Sequence, residues 1–155
     1  MKRIMTALLL SMVLLFAGCS SDIFQGDTES KKQSRIEVYS VEDEKLIKTI
    51  DDQSIVNDLF STDKWELKDK LPDGLVPEYQ LLVYQEKTIL LGQDPDEERE
   101  YELIATLVTF RDSSYVEEII SDDAVKNIIV PEYAMTFCYI MPDGVKEEFY
   151  KQLEP

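Results

Sequence analysis

From Arg35 onward, the apolar residues of this sequence fall in short runs separated by charged and turn-forming residues. Alternation with a period of two, as in Ile36 and Val38, is typical of β-strands with one buried face. We predict a strand that starts near Arg35 and contains Ile36, Val38 and either Tyr39 or Val41, and another around Trp65 and Leu67. The other predicted strands are residues 46–50, 79–85, 88–91, 101–110, 115–120 and 133–140. Because no strand-helix-strand order repeats, we expect an α+β fold with a mostly antiparallel sheet in a single small domain.

Two stretches have helical spacing, so we expect two short helices. The apolar residues concerned are Ile55, Val56, Leu59 and Phe60 in the first, and Phe149, Tyr150 and Leu153 in the second. Asp51 and Asp52 precede the first stretch, and carboxylates stabilise a helix N-terminus. Pro142 precedes the second stretch and suits a first helical position. Residues 124–130 fit either a strand or one helical turn.

Two of the strand predictions are specific about pairing. Residues 79–85 and 88–91 are separated only by Glu86 and Lys87, which predicts a hairpin between them. Residues 133–140 are apolar at both alternating sets of positions, which is typical of a central strand covered on both faces.

Composition excludes several classes of function. The 155 residues include 16 Lys+Arg, 32 Asp+Glu and no His, with a formal charge of −16. Binding to nucleic acid requires clustered cations, so we expect no nucleic-acid partner. The absence of histidine excludes Ser-His-Asp and Cys-His catalysis and His-ligated zinc.

The first 18 residues have the pattern of a signal peptide. Lys2 and Arg3 are followed by an uncharged run from Ile4 to Gly18, with about a dozen strongly apolar residues. That length is short for a membrane-spanning helix, which needs about 20.

Leu15-Phe16-Ala17-Gly18-Cys19 resembles the lipobox of bacterial lipoproteins, in which a leucine and two small residues precede a cysteine. Phe16 stands where that pattern prefers leucine. The resemblance implies that the thiol of Cys19 accepts diacylglycerol, that residues 1–18 are removed, and that Cys19 becomes the first residue. We therefore expect a protein held at the extracytoplasmic face of the cell membrane by acyl chains.

Residues 19–34 are predicted to be the lipidated cysteine and a polar tether, with the globular domain at residues 35–155. Without residues 1–18, the chain keeps 14 basic and 32 acidic residues, a formal charge of −18. Such a domain is repelled by an anionic lipid surface, so the acyl chains have to hold it there.

No residue pattern marks a catalytic, cofactor or metal site. Cys138 lies within a predicted strand and has no histidine to activate it, so we interpret it as a buried, inert thiol. Asp94, Asp96 and Glu98 alternate as calcium ligands do, but the acidic stretch 94–100 contains no glycine, and we interpret it as a solvated loop. We interpret the pairs at 51–52 and 122–123 as cap and turn residues.

The positions of the tyrosines are the remaining indication of a functional surface. Six lie on predicted strands: Tyr79, Tyr84, Tyr101, Tyr115, Tyr133 and Tyr139. Tyrosine is favoured both in strands and in interfaces, and both interpretations stay open here. We expect a binding or accessory module for an envelope protein, peptide or wall component, which predicts an exposed tyrosine-bearing apolar patch on one sheet face.

Two alternative functions make different predictions. A small hydrolase that uses carboxylates needs two or more buried Asp/Glu with raised pKa values in a cleft. An inhibitory or protective lipoprotein would mask a basic partner with an acidic surface, and its complex would be sensitive to salt.

Overall fold

The computed structural model describes residues 32–94, 97–125, 131 and 134–153, and all of them belong to the unit Lys32–Pro155. Its seven strands are β1 Ser34–Ser40, β2 Leu46–Ile50, β3 Glu66–Lys68, β4 Pro77–Glu86, β5 Tyr101–Phe110, β6 Tyr115–Ile120 and β7 Thr136–Ile140. They form one sheet in the order β2-β1-β4-β5-β6-β7-β3. Every neighbouring pair is antiparallel, which confirms the expected α+β class.

Two α-helices accompany the sheet: α1 Gln53–Phe60 and α2 Asp143–Leu153. The carboxylate of Asp52 caps α1 by accepting hydrogen bonds from the backbone N–H groups of Ser54 (2.9 Å) and Ile55 (3.3 Å). This confirms the predicted helix start, because a cap oxygen satisfies amide groups that have no partner within the helix. Short 3₁₀ turns lie at Thr62–Lys64 and Asp122–Ala124.

The second helix begins one residue later than the proline signal suggested. The carbonyl of Pro142 accepts hydrogen bonds from the N–H groups of Val145 and Lys146, both at 2.9 Å. Pro142 therefore occupies the N-cap rather than the first helical position, which falls to Asp143. The acidic side chain suits the positive end of the helix dipole.

The predicted hairpin between residues 79–85 and 88–91 is wrong. Residues 88–91 form no strand, and β4 pairs instead with β5 from Pro77↔Phe110 to Glu86↔Tyr101. Glu86-Lys87 lacks the Asn or Gly that a two-residue hairpin turn requires. β5 also offers β4 a partner of equal length, so the chain leaves the sheet at Lys87 and returns at Tyr101.

The strand predicted at residues 133–140 is shorter and is not central. β7 covers Thr136–Ile140 and lies between β6 and the three-residue edge strand β3. Its neighbour β3 is too short to cover it, so Phe137 stays 36% exposed. Residues 126–130, 132 and 133 lie outside the described residues, so most of the ambiguous stretch 124–130 is not described.

The core lies between one face of the sheet and the two helices. Val56 and Leu59 of α1 and Phe149 and Leu153 of α2 are buried in one cluster with strand residues. Trp65 closes one side of the cluster, with its ring 5.8 Å from that of Tyr139 and 5.7 Å from that of Phe149 in edge-on contacts. Both helices therefore pack on the same face.

Candidate functional site

The two faces of the sheet have different surroundings. Side chains alternate between faces along a strand, and the register aligns those of one face across strands. We call the side toward α1 and α2 the helix face. It carries Ile36, Val38, Leu81, Val83, Ala105, Leu107, Val116 and Glu118.

We call the opposite side the open face. Its half-buried apolar and aromatic residues include Leu82, Leu103, Val108, Ile119, Ile140, Tyr39, Tyr84, Tyr101 and Tyr115. All of these are half-buried, and none belongs to the core cluster. Neither described helix packs on them. The open face is therefore an apolar, tyrosine-bearing surface on which neither described helix packs, although loop residues such as Arg99 contact its edges.

A stack around Arg35 orders one end of the open face. The guanidinium carbon of Arg35 lies 5.1 Å from the ring centroid of Tyr84 and 4.7 Å from that of Tyr101. These are cation–π distances, each contributing about 0.5–1 kcal/mol at exposed sites. Arg35 also pairs with Glu37 at 3.3 Å, and the Tyr39 hydroxyl donates to Glu37 at 3.1 Å. These contacts hold the rings in place.

The same contacts shift the tyrosine pKa values. The hydrogen bond to the Glu37 carboxylate raises the pKa of Tyr39, and burial raises that of Tyr84. Both phenols stay protonated at neutral pH and can act as hydrogen-bond donors.

Ion pairs neutralise most carboxylates of the open face. Glu86 pairs with Arg99 at 3.2 Å and also accepts a hydrogen bond from the backbone N–H of Gln33 at 3.0 Å. At the opposite edge, Glu66 pairs with Lys68. Glu37, which pairs with Arg35, is a third carboxylate of this face with a cationic partner.

Glu117 is the exception. Its register neighbours are Val108 on β5 and Cys138 on β7, both uncharged. Across residues 32–94, 97–125, 131 and 134–153, its carboxylate makes no hydrogen bond or ion pair. A half-buried carboxylate among uncharged side chains retains its attraction for a cation, so a partner with Lys or Arg could pair with it.

Cys138 lies on the open face, half-buried beside Glu117, and not in the core as predicted. The reason is that β7 places Tyr139 toward the helices and the residues on either side of it toward the open face. Burial, with the carboxylate of Glu117 as the next cause, raises the pKa of the thiol. The neutral thiol is a poor nucleophile, which agrees with the interpretation of Cys138 as inert.

Glu118 is the buried carboxyl of the helix face, 6% exposed, and it accepts a hydrogen bond from the Tyr139 hydroxyl at 3.1 Å. Burial raises its pKa, while the hydrogen bond opposes the shift.

The other shifted carboxyl groups in the described ranges are Asp43 and Glu100. Hydrogen bonds from Ser40 and, second, from Lys45 lower the pKa of Asp43. A hydrogen bond from Lys87 lowers the pKa of Glu100. The described residues therefore provide one carboxyl with a raised pKa, whereas the carboxylate hydrolase predicts at least two.

The loop between β4 and β5 contains the predicted acidic stretch. It borders an open depression of about 300 Å³ whose carboxylates, those of Asp94, Glu97 and Glu98 among them, are exposed. The described part of the chain contains no group of three metal-ligating side chains. Pro95 and Asp96 lie outside the described residues. A second depression, of about 100 Å³ beside Trp65, is smaller than usual ligand pockets.

The predicted tyrosines divide between the two faces. Tyr84, Tyr101 and Tyr115 lie on the open face, whereas Tyr79 and Tyr139 lie toward the helices, where Tyr79 contacts Tyr150. Tyr133 is not among the described residues. Tyr39 also belongs to the open face, and its alternation with the buried Ile36 and Val38 was the signal that could have identified it.

The lipobox residues, including Cys19, lie in the range 1–31, which the structure does not describe. Among the described residues, neither helix has the length and apolar character needed to cross a membrane. Comparison of the chain with protein-family models, curated protein sequences and solved structures found no match.

Proposed function

We propose that this protein is an extracytoplasmic lipoprotein, anchored to the cell membrane through Cys19, whose domain binds an envelope protein or peptide on the open face. The observation that carries the binding proposal is the composition of this face, with four tyrosines and five aliphatic residues on one side of the sheet. Tyrosine is enriched in protein interfaces because it contributes a large contact area and a hydrogen-bonding tip.

The order of the face supports the same proposal. Stacking of Arg35 between Tyr84 and Tyr101 restrains three large side chains, which lowers the entropy lost when a partner binds. The anchor is supported by the sequence alone, through the basic start, the apolar run and the Ala-Gly-Cys ending of the first 19 residues.

Site-specific photocrosslinking in intact cells tests this proposal. A benzophenone amino acid replaces Ile119 on the open face or, as the control, the exposed Asn57 of α1. We expect a discrete crosslinked partner from position 119 and none from position 57. Mass spectrometry of the purified protein should show acyl chains on Cys19. A bare Cys19, or equal crosslinking from both positions, would contradict the proposal.

Charge reversal at Glu117 tests whether this carboxylate contributes to binding of the partner. We expect E117K to weaken capture from position 119 about tenfold or more, as for loss of a charge pair at an interface. D58K makes the same charge change on the exposed surface of α1 and should leave capture unchanged.

A further inference from the structure

The loop that leaves β4 carries the most exposed apolar side chains of the described residues. Leu90 is 66% exposed and Leu91 is 108% exposed. The two leucines are adjacent in the chain and form a contiguous apolar patch, the kind of surface that marks interaction sites on proteins and membranes.

A turn holds these leucines in position. The backbone N–H of Gln93 donates to the carbonyl of Leu90 at 3.0 Å, and the N–H of Leu90 donates to the side-chain oxygen of Gln93 at 2.7 Å. Gly92 has φ +97, the left-handed conformation that the third residue of a type II turn adopts. Leu91 is therefore displayed at the tip of the turn.

The turn lies at the end of the sheet where the chain enters the domain. The N–H of Glu86 donates to the carbonyl of Gln33 at 2.9 Å, and the N–H of Gln33 donates to the Glu86 carboxylate at 3.0 Å. The loop begins at the next residue, Lys87. The tether and the leucine turn thus leave adjacent strands at the same end.

The sequence leaves only a short span between that end and the proposed anchor. Residues 20–31 separate Cys19 from Lys32, and a flexible chain of this length would have a root-mean-square reach of about 20 Å. β4 is ten residues long, so its far end lies about 33 Å further away along the strand. A lipid anchor at Cys19 would therefore be joined by this short span to the end of the domain that carries the leucine turn.

We infer that Leu90 and Leu91 insert into the interfacial region of the bilayer and give the domain a second attachment point. This inference rests on the lipid anchor of the proposed function. The tether keeps the turn at high local concentration near the surface, so even a small apolar contact is populated. Insertion at this end would orient the strands away from the membrane and leave the open face accessible from the side.

Fluorescence quenching tests the insertion. The full-length, lipid-modified protein is reconstituted into vesicles of phosphatidylcholine whose acyl chains carry bromine close to the headgroups, which quenches an indole that enters the interfacial region. We expect strong quenching in L91W and none in V76W. Val76 is 54% exposed and directly precedes β4 at its far end, so it provides a matched control. The native Trp65 is 8% exposed and adds the same background to both variants.

A second substitution measures the contribution of the neighbouring leucine. Adding L90S to L91W should lower the ratio of inserted to free turn about tenfold, the effect of losing one partly buried leucine. Exposed Asp94, Glu97 and Glu98 lie in the same loop, so replacing part of the phosphatidylcholine with phosphatidylglycerol should reduce quenching, and salt should restore it.

Flotation of the same vesicles separates failure of the inference from failure of the anchor. Protein that floats without quenching of L91W overturns the insertion and leaves the anchor intact. Equal quenching of L91W and V76W also overturns it, since the contact would not be specific to the turn. Protein that does not float contradicts the anchor, and the insertion falls with it. Unchanged unfolding midpoints of the variants show that the fold is preserved.

Discussion

The two faces of this sheet are built from the same strands but have different surroundings. On β4, Leu81 and Val83 are fully buried under the helices, whereas Leu82 and Tyr84 are half-buried on the open face. The fully buried strand residues of the helix face are mostly aliphatic. The open face mixes tyrosines, aliphatic residues and paired charges. Stability therefore depends mainly on one set of alternating residues, and the other set is available for recognition.

Truncation of adjacent leucines gives the largest expected effect. We expect Leu81→Ala to lower the free energy of unfolding by about 3 kcal/mol, because it leaves a cavity in a packed core. Leu82→Ala removes the same atoms from the open face and should cost about 1 kcal/mol or less. Urea-induced unfolding measures both. Equal losses of unfolding free energy in the two variants would contradict the difference between the faces, since they would mean that the open face is as well covered as the helix face.

Glu118 is the only buried carboxyl among the described residues and tests how apolar the helix face is around it. Its folded-state pKa is raised above the ordinary value of 4.5, so the folded state binds a proton more tightly than the unfolded state. Stability from this group is present below about pH 4.5 and is lost as the pH rises through the folded-state pKa.

We therefore expect Glu118→Gln to stabilise the protein at pH 7 by about 1 kcal/mol, the scale for a polar group buried with one hydrogen bond. The gain should disappear near pH 4, where Glu118 is protonated. Unfolding followed at a series of pH values measures it, with Glu147→Gln on the exposed side of α2 as the control. A gain that is independent of pH would show that Glu118 is not desolvated.

Arg35 is the corresponding test on the open face, with the smallest effect on stability. Arg35→Ala removes the stack with Tyr84 and Tyr101 and should cost about 0.5–1 kcal/mol. Arg35→Lys keeps the charge but loses the planar group, so it should recover only part of that loss. Thermal unfolding of the three proteins ranks them. A loss as large as that of Leu81→Ala would show that the open face supports the fold as strongly as the core.

Local pattern was sufficient for much of the secondary structure. The bounds predicted for β2, β5 and β6 match those of the structure, because five to ten residues of alternating or continuous apolar character next to turn residues favour a strand. The cap at Asp52 was also predictable, since the residues that satisfy a helix N-terminus are few. The prediction at residues 88–91 failed because apolar character alone does not identify a pairing partner.

The candidate binding face could be predicted only in part. Side chains alternate between the two faces of a strand, but on β5 both sets are largely apolar. The sequence of β5 therefore does not predict which face the helices cover. The stack of Arg35 between Tyr84 and Tyr101 joins three strands, and the isolation of Glu117 depends on what β5 and β7 place beside it. Such contacts depend on register between distant segments.

By itself, the sequence determined the α+β class, most strand positions, the acidic character of the chain and the expectation of a lipid anchor at Cys19. These depend on residues within a few positions of one another. Only the tertiary structure decided the strand order, the face that stays uncovered, and the position of the leucine turn beside the entry of the chain. Each of these is set by backbone pairing and helix packing between segments far apart in sequence, where many arrangements share the same local pattern.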